Sequence, residues 1–234
     1  GTPQGGPLSP LLSNIMLNEL DKELTRRGLP FVRYADDSMI FCKSKRAAKR
    51  VKESITRFIE GKLHLKVNRD KTVVSYVQGV KYLGYSFYVM KGKCQLTVHP
   101  KAKAKMKAKL KELTSRSNGW GYAKRKQKLE EYIKGWVGYY HLANMKRFLI
   151  EMDEWLRRRL RMCIWKSWKR VKTRVANLVK CGIDKYQAYM WGNSRLGYWR
   201  IAGSYILSRA ITNEKLSMAG YATLMGSYIE WHPK

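Results

Sequence analysis

The sequence predicts an α+β protein in which helices pack on a small antiparallel sheet and a basic, all-helical part follows. Three observations predict it. Short β-branched and aromatic runs at 31–34 and 38–42 flank two acids, and runs at 82–90 and 94–98 flank Lys91-Gly92-Lys93, so each pair reads as a β-hairpin. Apolar residues recur at helical spacing before and after the first hairpin. From Pro100 onward the helical period takes over entirely, which places strands first and helices second.

The elements follow in order. Residues 1–8 form a Gly/Pro-rich loop, and Ser9 before Pro10 reads as a helix start. Leu12, Ile15, Met16, Leu20 and Leu24 then lie on one helical stripe that ends near Gly28. Ser44 caps a second helix, with Val51, Ile55, Phe58 and Ile59 opposite Lys45, Lys49 and Lys52. Residues 64–67 and 73–77 are short strand candidates. Beyond Pro100, Ala102, Met106, Leu110 and Leu113 make the apolar face of a lysine-covered helix. Leu129, Tyr132, Ile133, Trp136 and Tyr140 mark a second helix of a small bundle. Phe148, Met152, Trp155, Leu156 and Cys163 mark a third, opposite Arg157, Arg158 and Arg161. Residues 191–195 read as loop, and a helical stretch follows through Tyr198, Ile201 and Ile206. The expected domains are 1–98, 99–180 and 181–234.

A net charge of +31 over 234 residues, with 44% hydrophobic residues, describes a folded polyanion binder rather than a disordered tail. The charge is uneven: +10 over residues 1–98, +18 over 99–180 and +3 over 181–234. Eight Trp and fifteen Tyr among the cations supply stacking surfaces, which favours nucleic acid over lipid. No apolar run approaches the ~18 residues that span a bilayer. The start, Gly1-Thr2-Pro3-Gln4-Gly5-Gly6, has neither initiator Met nor an apolar leader and reads as the interior of a longer polypeptide. Cys42, Cys94, Cys163 and Cys181 form no CxxC pair and are expected as buried reduced thiols of a cytosolic protein.

Asp36-Asp37 sits at or beside the tip of the first hairpin. Tight hairpin turns favour Gly, Asn-Gly or Asp-Gly, whereas adjacent acids repel. The pair therefore reads either as a plain surface turn or as a site for a hard divalent cation such as Mg²⁺.

Four blocks in order resemble the later motifs of reverse transcriptases encoded within bacterial group II introns. Gly1-Thr2-Pro3-Gln4-Gly5-Gly6-Pro7-Leu8-Ser9-Pro10 is similar to the template-contacting block, and Tyr34-Ala35-Asp36-Asp37 to the YxDD catalytic box. Leu65-Lys66-Val67-Asn68-Arg69-Asp70-Lys71-Thr72 resembles the next palm block, and Tyr82-Leu83-Gly84-Tyr85 the primer-grip hairpin. The basic helices over 100–180, with Ser194-Arg195-Leu196-Gly197 through Asn213-Glu214, resemble the thumb or maturase domain X. The resemblance implies a partial polymerase palm followed by this helical thumb, and an RNA-directed DNA polymerase using two Mg²⁺ ions. Asp36 and Asp37 would be the metal ligands and Lys71 a catalytic partner of the pyrophosphate. Pro3, Gln4, Gly5 and Ala35 would lie beside template and incoming nucleotide, and Leu83-Gly84 would grip the primer. Lys101, Lys105, Lys109, Arg157, Arg158 and Arg161 would bind nucleic acid.

The implied partners are a group II intron RNA, an RNA template with a DNA primer, deoxynucleoside triphosphates and a DNA insertion target, with no membrane. The implied location is the bacterial cytoplasm. The family's active site takes a further aspartate from an upstream strand, which this sequence does not contain, so the chain alone is expected to be inactive. The alternative is a non-catalytic maturase that binds RNA.

Overall fold

The computed structural model describes residue 6 and residues 8–233. Pro3, Gln4 and Gly5 lie outside the described residues. The chain divides into two compact units, Gly1–Tyr82 and Leu83–Lys234.

The first unit runs α1 (Leu8–Arg26), β1 (Phe31–Tyr34), β2 (Asp37–Ile40) and α2 (Lys45–Gly61), then a 3₁₀ turn (Val77–Gly79) and a two-residue strand, β3 (Lys81–Tyr82). α1 ends where Gly28 takes a left-handed φ of +64° and the Leu29 N–H returns to the Leu24 carbonyl. Ser44 caps α2, its hydroxyl accepting from the Ala47 N–H as its sequence position implies. Leu20, Leu24, Ile55 and Leu63 form the core, with Phe31, Ile40, Val51 and Phe58 packed against them.

Two expectations fail in this unit. The predicted α1 stripe is buried only in its second half: Leu12, Ile15 and Met16 are exposed, together with Leu8 and Leu11, while the core of the unit takes α1 in at Leu17, Leu20 and Leu24. Neither 64–67 nor 73–77 forms a strand. Local hydrogen bonds hold the segment around them instead. The Leu65 N–H bonds the Ile59 carbonyl, the Asn68 carbonyl accepts from both Thr72 donors, and Lys52 takes the Thr72 carbonyl. Alternating apolar residues make a strand only where a partner strand meets them.

The second unit opens with the hairpin β4 (Tyr85–Met90) and β5 (Lys93–Val98). Its two-residue turn has Lys91 and Gly92 both at positive φ, +50° and +73°, the signature of a type I′ turn. Three long helices follow, α3 (Pro100–Leu113), α4 (Tyr122–Tyr140) and α5 (Lys146–Ser167). The short helices are α6 (Val171–Lys180), α7 (Lys185–Gly192), α8 (Tyr198–Ala202), α9 (Tyr205–Ala210), α10 (Asn213–Met218) and α11 (Leu224–Glu230). The core runs from Val98 through Met106, Leu110, Ile133 and Leu149 to Ile206, Leu224 and Tyr228. Trp191-Gly192 belongs to α7 rather than to the predicted loop, which begins at Asn193. The helical stretch expected through Tyr198 and Ile206 is broken at Gly203-Ser204, where the Ser204 hydroxyl caps a new helix.

Asp153 of α5 is a buried carboxylate with a structural task. It accepts the Leu224 and Met225 N–H groups at 2.8 and 2.9 Å and so holds the start of α11. Burial pushes its pKa up against the pull of those two donors. All four cysteines are free, but only Cys163 is fully buried; Cys94 is exposed on β5, contrary to expectation. No helix among the described residues is long and apolar enough to cross a membrane.

Candidate active site and nucleic-acid interface

The first hairpin closes through Ala35-Asp36, with Tyr34 and Asp37 as its last cross-strand pair. Asp36 therefore lies in the turn and Asp37 opens β2. Ala35 holds φ +53°, a left-handed conformation that costs a non-glycine residue about 1 kcal/mol or more. Asp36 and Asp37 are exposed, and neither carboxylate makes a hydrogen bond or ion pair among the described residues.

What keeps this tip in place is Arg33, which sequence reasoning did not single out. Alternation puts Phe31 and Arg33 on the inner face of β1, while Val32 and Tyr34 face outward. The Arg33 guanidinium donates through Nε and one terminal nitrogen to both carboxylate oxygens of Asp21 on α1, at 2.8 and 2.6 Å. Its other terminal nitrogen donates to Asn14 Oδ1 at 3.0 Å and to the Ala35 carbonyl at 2.9 Å. One side chain thus ties the strained turn residue to two positions on α1. The Asp21 hydrogen bond leads the causes that raise its pKa. Burial likewise pushes the Tyr82 phenol up, Asp37 adds to that shift, and Arg33 opposes it.

A lysine cannot reproduce the forked contact. Arg33→Lys is expected to lose about 2 kcal/mol from the first unit, since several charge-assisted hydrogen bonds go with it. Urea unfolding followed by amide exchange of β1 and α1 measures the loss, and unchanged protection would refute it.

Lys71 lies in an exposed turn in which its own N–H bonds Asn68 Oδ1 at 3.1 Å. No hydrogen bond or ion pair joins Lys71 to Asp36 or Asp37 among the described residues.

In the second unit, Leu83 and Gly84 both take positive φ, +50° and +81°. The C-terminal end of α4 clamps this turn. Tyr139 donates its hydroxyl to the Leu83 carbonyl at 3.0 Å, Tyr85 donates to the Tyr139 carbonyl at 2.5 Å, and the Tyr85 and Tyr140 rings lie 5.2 Å apart.

The basic helices divide by the state of their cations. Lys101 and Lys105 are exposed on α3, while Lys109 is paired with Glu112 at 2.7 Å. Two further lysines of α3 lie over aromatic rings of α5, Lys103 over Phe148 and Lys107 over Trp155. Arg157, Arg158, Arg159 and Arg161 of α5 are half-buried. Arg158 donates twice to the Trp199 carbonyl and stacks 4.1 Å over the Trp199 ring. Arg159 holds Thr114, and Arg161 donates to the Ile211 carbonyl and to Asn213 Oδ1. Arg158 and Arg161 thus join packed segments of the unit, a task their sequence positions did not reveal. Arg157 makes no hydrogen bond among the described residues.

Residues 1–87 match the family described as reverse transcriptase (RNA-dependent DNA polymerase), and residues 103–182 match the group II intron maturase-specific domain. Protein YkfC of Escherichia coli is 33% identical over 120 residues, covering 36% of this chain and 32% of that protein. The group II intron-encoded protein LtrA of Lactococcus lactis is 29% identical over 154 residues, covering 38% of this chain and 26% of that protein. The matched part spans a third or less of the length of these curated relatives.

Proposed function

Because this chain belongs to the family of group II intron-encoded reverse transcriptases and maturases, we propose that it carries the carboxylate hairpin of an RNA-directed DNA polymerase together with helices that bind intron RNA and support its splicing. The observation that carries the polymerase reading is the pair Asp36-Asp37, two exposed carboxylates without a hydrogen bond or ion pair among the described residues, on a tip that Arg33 pins. Two adjacent carboxylates are a hard-oxygen donor set of the kind Mg²⁺ takes. Such ions supply charge stabilisation for the attacking and leaving oxygens of phosphoryl transfer. Asp36 and Asp37 would hold them, and the small side chain of Ala35 leaves room for a primer terminus. Lys71 would neutralise or protonate the departing pyrophosphate. The Leu83-Gly84 turn would bear on the primer, and Pro3, Gln4 and Gly5 on the template. The substrates under this reading are deoxynucleoside triphosphates, an RNA template with a DNA primer, and a DNA insertion target.

The second reading is an RNA-binding maturase without polymerase chemistry, which rests on the exposed cations of the basic helices, such as Lys101 and Lys105, and needs no carboxylate. Primer extension on an RNA template by the longer polypeptide separates the two readings.

Both readings require RNA binding, which salt dependence tests. Replacing Lys101 and Lys105 by Gln is expected to lower the slope of log affinity against log salt by about 1.4 on single-stranded RNA, about 0.7 for each phosphate no longer neutralised. Adding Lys109→Gln should change it less, since Glu112 already pairs with that lysine. An unchanged slope in the double variant would place the interface elsewhere.

A further inference from the structure

The face of the second unit where α5 meets α10 carries a cavity of about 430 Å³. Its floor is apolar, from Leu156, Leu160 and Leu216, and Tyr221 and the 86% exposed Met218 also line it. A second, polar cavity of about 380 Å³ shares Arg157, Asn213 and Glu214 with the first. The volume and the mix of apolar floor with few polar groups suit a small planar ligand.

The charges here run against the rest of the unit. Nine acids fall within residues 83–234, and three of them, Asp153, Glu154 and Glu214, line the two cavities. Asp153 is occupied by the start of α11. Glu214 is not buried, and the Thr212 side chain holds its carboxyl below the usual range, so it stands as an ionised acceptor. Asn213 is oriented by Arg161, which donates to its Oδ1 and leaves its NH₂ as the donor. Arg157, half-buried and without a hydrogen bond among the described residues, is the remaining cation.

An acceptor carboxylate beside an amide donor and a guanidinium with its donors open, over an apolar floor, has one close complement among the bases. Guanine presents two adjacent donors, N1–H and the N2 amino group, next to the acceptor O6. Uracil and cytosine present no such pair of donors. We propose that this cavity takes the base of an unpaired guanosine of bound RNA. Glu214 accepts from N1–H and N2–H, Asn213 donates to O6, and Arg157 meets the adjoining phosphate. Unstacked bases read on their Watson–Crick edge are the usual basis of sequence-specific RNA recognition. The proposal rests on the reading that the chain binds RNA, to which it adds a base preference.

The test uses the full chain and short oligouridine strands whose central residue is guanosine, adenosine, cytidine, uridine or abasic, with affinities read by fluorescence anisotropy at one fixed salt. The guanosine strand is expected to bind about tenfold more tightly than the abasic strand, the scale of one bidentate base contact. Ser217 and Glu214 are both exposed, so Ser217→Trp at the cavity lining and Glu214→Gln should fold normally, with circular dichroism as the check. Both variants should remove the guanosine preference while affinity for the abasic strand stays. Equal affinities across the series, preference for another base, or a preference that survives Ser217→Trp would overturn the proposal and leave RNA binding standing. Failure of every strand to bind would remove the RNA-binding reading and the proposal together.

Discussion

Asp36→Asn in the longer polypeptide is expected to lower primer extension on an RNA template by about 10³-fold or more, with RNA affinity unchanged or slightly raised. The first half follows from chemistry. A carboxylate that holds a divalent ion contributes several kcal/mol of charge stabilisation to the transition state, and about 4 kcal/mol is a thousandfold in rate. The second half follows from the geometry. The Asp36 carboxylate is exposed and makes no hydrogen bond among the described residues, so its removal breaks no described contact and deletes one negative charge from a strongly basic protein. A structural acid would behave in the opposite way, losing stability first and activity as a consequence. Asp37→Asn should resemble it in rate, with a lowering of the Tyr82 pKa as a separate signature, because Asp37 contributes to that phenol's upward shift. Extension within tenfold of wild type in both variants would leave RNA binding as the function. A loss of melting temperature comparable to that of Arg33→Lys would show the pair to be structural.

Arg33 marks the border between what local sequence reveals and what it does not. Its position on the inner face of β1 was legible from the alternation that made Phe31 inward-facing. A charged residue on that face calls for a partner, and Asp21 lies 12 residues earlier, on the helix that precedes β1. The α2 cap at Ser44 and the turn at Lys91-Gly92 were legible for the same reason: their signals lie within a few residues. Signals carried by distant segments were not. Arg158 and Arg161 sit on the polar side of a helical stripe, and only Trp199, Ile211 and Asn213, 41 to 52 residues away, convert them into internal ties. The exposed half of α1 and the unpaired runs 64–67 and 73–77 have the same cause. Periodicity reports which face could be buried, and tertiary partners decide whether it is.

Gly84→Ala is expected to destabilise the second unit by about 2–5 kcal/mol, from a dihedral cost and an overpacking cost that add. Gly84 holds φ +81°, which costs an alanine roughly 1–2 kcal/mol. A methyl group there would also run into the Tyr140 hydroxyl and lie 3.1 and 3.2 Å from the ring atoms behind it, an overpacking of about 1–3 kcal/mol. The tyrosine cannot move aside cheaply, since its ring is packed 4.7 Å from both Trp136 and Tyr139. The two costs separate in a double-mutant cycle. Tyr140→Leu removes the obstruction and leaves the dihedral strain, so the double variant should recover at least about 1 kcal/mol relative to additivity. Tyr139→Phe removes only the bond to the Leu83 carbonyl and should cost about 1 kcal/mol without coupling to Gly84. If Gly84→Ala unfolds in urea within about 0.5 kcal/mol of wild type, the range of ordinary surface substitutions, the turn yields rather than the ring. In that case the clamp of Tyr139 and Tyr140 would not fix the segment that the polymerase reading places against the primer.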